Sequence, residues 1–292
     1  MSTVALLFVT GLGLGALYFL VAAGLSLIWG LMRVLNFAHG AFFTVAAYAG
    51  WVASRSIGTG TWGQWLLSVL VGVVTGGVFA ALAEVVLIRP LYARHVGQVL
   101  VTVGLALATL ALVEGGFGTD PIQLTLPAWM LGTTAIAGAA VPNTRLLTIL
   151  AAAIVLAVLL FFLRRTRFGL IVRAGVENRA MVQALGIDVQ RAFTLVFAIG
   201  GMAAGLAGVL AGAYFGTIDP ARGTTMLIFA FIVVVIGGLG SVTGSAVAAV
   251  IVGVLQQFLN FYGAAGVGDF SVVLLLAVVL LLRPGGLSGA TA

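Results

Sequence analysis

Of the 292 residues, 62% are hydrophobic and 7% charged, with a mean hydropathy of +1.27. A soluble domain carries about 25% charged residues, so the composition excludes one and points to a polytopic helical membrane protein. The net charge of +6 comes from arginine without any lysine, and there is no cysteine; this excludes the lysine-dependent phosphate loop, Schiff-base chemistry, disulfides and thiolate metal sites.

The first predicted span runs from Val4 to Trp29. No basic segment precedes it, so it reads as a membrane helix and not as a cleaved signal. Arg33 follows, then Asn36-Phe37-Ala38-His39-Gly40 and an apolar run, Ala41 to Ala53, that is short for a full crossing of roughly 20 residues. Arg55 to Thr61 is a polar turn. The next spans are Gln64–Ile88, which ends in Arg89-Pro90-Leu91, and Val96–Val113. A loop from Glu114 to Asn143 leads to Leu146–Leu163. Beyond an arginine-rich stretch come Ala192–Phe215, a turn at Thr217–Gly223, and a second short run, Met226–Ile236. Gly237 to Ser241 interrupts the chain before Gly244–Tyr262 and Phe270–Leu282. Strand alternation is absent, which argues against a β-barrel.

The arginine-rich stretch, residues 164–191, holds six arginines against Glu177 and Asp188. Short basic loops stay on the cytoplasmic side. Placing this one there puts ten arginines inside and three outside, with the N-terminus outside and the C-terminus inside. Val172, Val176, Ala180 and Ala184 recur every fourth residue, which predicts a short surface helix ended by Gly186. Asp188 is placed to cap the helix that follows.

The two short runs read as broken helices, centred on Asn36–Gly40 and Gly237–Gly244. Interrupted helices in the two halves of a transporter point to its substrate path, because their freed backbone groups need protein or water around them. The substrate-path candidates are therefore Asn36, His39, Gly40, Gly238, Gly240, Ser241 and Gly244, with Asn36 and Ser241 as N-caps. The repeat is read as Asn36-x-x-x-Gly40 against Gly240-x-x-x-Gly244. The Gly72/Gly76, Gly201/Gly205 and Gly208/Gly212 pairs predict close helix packing.

No acid lies in the middle of a span, so ion-coupled pumping has no candidate carboxylate. With no phosphate loop either, the energy for transport must come from another polypeptide, and residues 164–191 are the place for it to dock. Two histidines and no cysteine make a metal site poor. Two other classes remain open: a half-helix channel for a small neutral solute, with Asn36 donating to it, and an intramembrane serine hydrolase using Ser241 or Ser245 with His39.

The run from Gly24 through Asn36-Phe37-Ala38-His39-Gly40-Ala41 resembles permease subunits of branched-chain amino acid ATP-binding-cassette importers, in the shorter of their two forms. Arg89-Pro90-Leu91, Phe168-Gly169 to Arg173-Ala174, Ala184-Leu185-Gly186-Ile187 and Gly237-Gly238-Leu239-Gly240-Ser241 agree in the same order. The resemblance implies an all-α importer permease, one transmembrane domain over residues 1–292, with eight or nine crossings in a bacterial inner membrane. It implies four partners' worth of machinery: a longer permease subunit, two cytoplasmic ATP-binding subunits and an extracytoplasmic solute-binding protein. The protein would not be an enzyme and would carry no cofactor of its own, since ATP is bound by the partners. The coupling loop would use Arg173, Ala174, Glu177, Ala184, Leu185 and Gly186; Asn178-Arg179 stand where two alanines are usual in the loop motif. Substrates implied are leucine, isoleucine and valine, or other amino acids, amides or urea.

Overall fold

The computed structural model describes residues 2–33, 35–92, 94–177, 181, 188–264 and 266–288. The helices are α1 Ser2–Met32, α2 His39–Ile57, α3 Trp62–Ala83, α4 His95–Phe117, the one-turn α5 Ala128–Leu131, α6 Asn143–Arg165, α7 Arg167–Glu177, α8 Val189–Phe215, α9 Arg222–Gly237, α10 Val242–Tyr262 and α11 Val267–Leu282. A π-helical turn, Glu84–Ile88, and a 3-10 turn, Arg89–Leu91, extend α3. The loop expected from Glu114 to Asn143 carries local structure. β2 Thr133–Ile136 and β3 Ala139–Pro142 form an antiparallel hairpin, and β1 Ile122–Gln123 pairs antiparallel with β4 Thr217–Ile218.

These strands mark one end of the bundle, called here the hairpin end. The opposite end carries Arg164, Arg165 and α7 and is called the arginine end. Among the described residues, six helical segments are long and apolar enough to cross a membrane: α1, α3 with its extension to Leu91, α4, α6, α8 and α10. α9 and α11 are shorter apolar helices.

Local chemistry fixes the helix starts. Thr61 and Gln64 form a reciprocal capping box on α3. The Asp188 carboxylate accepts from the N–H groups of Gln190 and Arg191 at 3.0 and 3.3 Å, capping α8. Ser241 Oγ accepts from Gly244 N at 3.0 Å and caps α10. Each such cap stabilises by about 1 kcal/mol.

Lipid offers helices no hydrophobic drive to associate, so close backbone approach through small residues holds such a bundle together. α1 and α8 cross at its centre, where a Cβ at Gly24 would stand 2.6 Å from the Gly200 carbonyl oxygen. Gly11, Gly15 and Gly253 bring α1 against α10; Gly72, Gly76, Gly201 and Gly205 bring α3 against α8. α2 packs on α8, and α9 on α1. The same three-helix arrangement is thus built twice, as α1–α3 and as α8–α10. The second copy is inverted, since α1 runs from the hairpin end to the arginine end and α8 runs back. α4 adds to the first half beside α2, and α11 to the second beside α9 and α10.

Candidate membrane seam between two re-entrant helices

α2 does not start at the end of the bundle. His39, its first residue, is fully buried and its Nε2 lies 3.1 Å from the Val21 carbonyl oxygen. Val21 is eleven residues before the end of α1, a distance of about 16 Å along the helix. The chain therefore leaves α1, turns back into the bundle, and begins α2 at depth. Arg33, with φ 52°, sits in the left-handed region where the reversal begins.

α9 starts in the same way from the other side. The Phe43 carbonyl contacts Gly208, seven residues before α8 ends, so α2 meets α8 about 10 Å short of its end. Gly223, the second residue of α9, lies against Gly40, the second residue of α2. A Cβ at Gly40 would stand 2.6 Å from the Gly223 carbonyl oxygen, and one at Gly223 would overlap Gly40 O and Thr44 Oγ1. From this shared depth α2 runs to the hairpin end and α9 to the arginine end.

Both re-entrant starts use one device. Asn36 Oδ1 accepts from Ala38 N at 3.1 Å, and Asp219 Oδ1 from Ala221 N at 2.9 Å. His39 N donates to Asn36 O at 3.3 Å, and Arg222 N to Asp219 O at 3.2 Å. An amide or carboxylate folding back on the backbone two residues ahead is an Asx turn. Asn36-Phe37-Ala38-His39-Gly40 is thus matched residue for residue by Asp219-Pro220-Ala221-Arg222-Gly223. The expected partner, Gly237–Gly244, is not the second re-entrant break, and Asn36 is not the helix cap: Ala38 holds that position.

Two hollows of about 180 and 170 Å³ lie along the seam. Asn36 lines the one nearer the arginine end, with Leu35, Phe231 and Ile232. Asn36 is 2% exposed, and its Nδ2 has no hydrogen-bond partner among the described residues. Gly40 lines the other, with Thr44, Thr109, Pro220 and Thr224. Phe37 and Leu227 border both.

The other expected path residues fall elsewhere. His39 lines neither hollow; its ring packs edge-on to Phe42 and against Gly24, in the core. Gly238, with φ 100°, ends α9, and Gly240, with φ 86°, lies against Gly30. Gly244 abuts the Gly237 carbonyl, which also accepts from Ser288 N and Oγ. Gly237 to Gly244 is therefore a tight interhelical turn at the arginine end, covered by the chain's last described residues. Gly240 shares a separate hollow of about 170 Å³ there with Ser26, Leu163 and Val172.

At the arginine end, α7 supplies the expected surface helix from Arg167, earlier than the spacing predicted. Thr166 Oγ1 accepts from Gly169 N at 3.0 Å, and Gly169 sits on the Phe162 carbonyl and Leu163. Val172 is buried against the bundle and Ala174 half-buried. Arg173 and Glu177 lie on this helix. The stop at Gly186, with Ala184 and Leu185, lies outside the described residues.

Next to it is a polar cluster built around Glu84 and Arg89. Glu84 is fully buried. Arg89 Nε and Nη2 reach its two carboxylate oxygens at 3.3 and 3.2 Å. Thr194 Oγ1 lies 2.7 Å from both Glu84 Oε2 and Arg89 Nη2, and the Tyr92 hydroxyl also donates to the carboxylate. The bidentate pair compensates a charge that would otherwise be costly in lipid. It fastens the end of α3 to the first turns of α8.

Two inverted halves around a seam of re-entrant helices define a multi-pass α-helical membrane protein of the transporter class. The family model for the branched-chain amino acid transport system permease component matches residues 7–282. The chain belongs to that family. It is 29% identical over 290 residues to the high-affinity branched-chain amino acid transport system permease protein LivH of Escherichia coli, covering 96% of this chain and 93% of that one. Against LivH of Salmonella typhimurium the figures are 28%, 96% and 93%. Against the permease protein BraD of Pseudomonas aeruginosa they are 29%, 96% and 94%. No solved structure matches the chain.

Proposed function

We propose that the chain is the passive half-channel of an ATP-driven importer for branched-chain aliphatic amino acids, with the solute passing along the α2–α9 seam. The observation that carries this reading is the meeting of two re-entrant helices at Gly40 and Gly223, with Asn36, whose buried Nδ2 has no hydrogen-bond partner among the described residues, in the wall of an apolar hollow. An apolar hollow with one polar residue, Asn36, in its wall suits a solute with an aliphatic body and a small polar head. The names of the relatives supply the solute class.

The hairpin end faces outward in this reading, because the arginine excess belongs in the cytoplasm. The N-terminus then lies outside, the C-terminus inside, and the polypeptide makes nine passages of an inner membrane as a single transmembrane domain. A solute-binding protein delivers at the hairpin end. ATP-binding subunits grip α7 and the residues after it, and a longer second permease closes the seam. Their movement reaches the seam through α8, which begins beside the arginine stretch and carries Gly200 and Gly208 against α1 and α2. The chain binds no nucleotide and performs no chemistry of its own.

The test is reconstitution in vesicles with the two ATP-binding subunits, the second permease and the binding protein. Leucine accumulates uphill only with internal ATP, and Asn36→Leu lowers uptake at least about tenfold, as loss of the one polar contact in a site implies, while the complex still assembles. Uphill accumulation without the ATP-binding subunits contradicts the reading, and unchanged uptake by Asn36→Leu removes Asn36 from the path.

A further inference from the structure

We propose that Phe37, closing on Leu227, is the septum that separates the outward-facing and inward-facing sections of the seam. The proposal rests on the seam being the solute path. The two hollows are nearly equal in volume, about 180 and 170 Å³. They are stacked along α9: Thr224 lines only the hollow toward the hairpin end, and Ile228, one turn later on the same face, lines only the hollow toward the arginine end. Between them, Phe37 and Leu227 border both. Nothing else among the described residues is common to the two linings.

The position of Phe37 follows from the Asx turn. Asn36 and Ala38 are clamped by their mutual hydrogen bond and buried, so the residue between them is held on the outside of a tight turn, where its ring is only half-buried. Its counterpart in the second half is Pro220, which lacks a side chain that could reach across. The two halves therefore contribute one bulky ring between them, at the depth where α2 and α9 meet. An aromatic ring is large and has two side-chain torsions, so a rotamer change at one residue opens or shuts the passage without moving either helix. The hollow on the hairpin side has Thr44, Thr109 and Thr224 in an otherwise largely apolar wall; on the other side the wall is aliphatic and aromatic except for Asn36. A zwitterion with a branched aliphatic body meets the threonine-bearing hollow first and the more apolar one beyond the ring.

The chain has no cysteine, so single cysteines report access directly. In the assembled importer in right-side-out vesicles, without ATP, a membrane-impermeant thiol reagent labels Thr224→Cys from outside and leaves Ile228→Cys protected. Adding Phe37→Ala raises the labelling rate of Ile228→Cys at least about tenfold and lets leucine run down its gradient without ATP; Phe37→Leu restores most of the protection. Should Phe37→Ala weaken assembly, Phe37→Val carries the same expectation at smaller amplitude. Equal labelling of Ile228→Cys with and without Phe37 overturns the septum and leaves the seam as path. Protection of Thr224→Cys from outside overturns both.

Discussion

The contact of Gly40 with Gly223 is the smallest feature on which the seam depends. Each Cβ would meet backbone of the other helix, which cannot move away as a flexible side chain can. Gly223→Ala and Gly40→Ala are each expected to destabilise the assembled protein by about 1–3 kcal/mol, the usual cost of overpacking, and to depress uptake. Gly104→Ala, where a Cβ meets nothing within 4 Å, leaves both unchanged; thermal unfolding in detergent and transport measure the difference. A second expectation concerns Tyr18, whose hydroxyl donates to Gln256 Oε1 at 2.8 Å while Gln256 Nε2 donates to Asp269 Oδ1 at 2.6 Å. Gln256→Leu strands both neighbours and costs about 1–2 kcal/mol by the same unfolding assay, since interhelical hydrogen bonds in lipid are individually modest; an unshifted midpoint would show that water or lipid replaces the link. At this scale the sequence was half legible. Asn36 and Gly40 stood out because an amide and a glycine interrupt an apolar run. Asp219 to Gly223 carries the same turn, but aspartate, proline and arginine together look like an ordinary surface loop, so the glycine-rich Gly237–Gly244 drew the comparison instead.

Helix identity and order were legible from apolar length, and the caps at Asp188 and Ser241 from residue type, because both are local properties. What pattern reading missed is where two segments begin in depth. That is decided by contacts across the bundle, His39 with Val21 and Gly40 with Gly223, which no window of neighbouring residues contains. The joint between α3 and α8 is of the same kind. Glu84 to Arg89 is a local pair, but Thr194 comes from 110 residues away. Thr194→Val should loosen this joint by about 1–3 kcal/mol. The importer would still assemble, yet solute-loaded binding protein would stimulate ATP hydrolysis less than in the unmodified complex, because α8 no longer carries α3 with it. Thr194→Ser, which keeps the hydroxyl, restores the stimulation. Full stimulation by Thr194→Val would mean that the joint has a purely static role.

For the whole molecule, composition alone pointed to a helical membrane protein, and the arginine distribution supplied the orientation proposed for it. The inverted duplication was out of reach, because two five-residue stretches sharing an alanine and a glycine carry too little pattern to stand out in 292 residues. Everything proposed about transport depends on that duplication: α2 and α9 start together and leave for opposite faces. Ser56 near the end of α2 and Leu239 just beyond α9 are both exposed, and each can be made the chain's only cysteine. With a membrane-impermeant thiol reagent, Ser56→Cys should be labelled in right-side-out vesicles and Leu239→Cys in inside-out vesicles alone. Labelling of both from the same face would contradict the inverted arrangement and the path built on it.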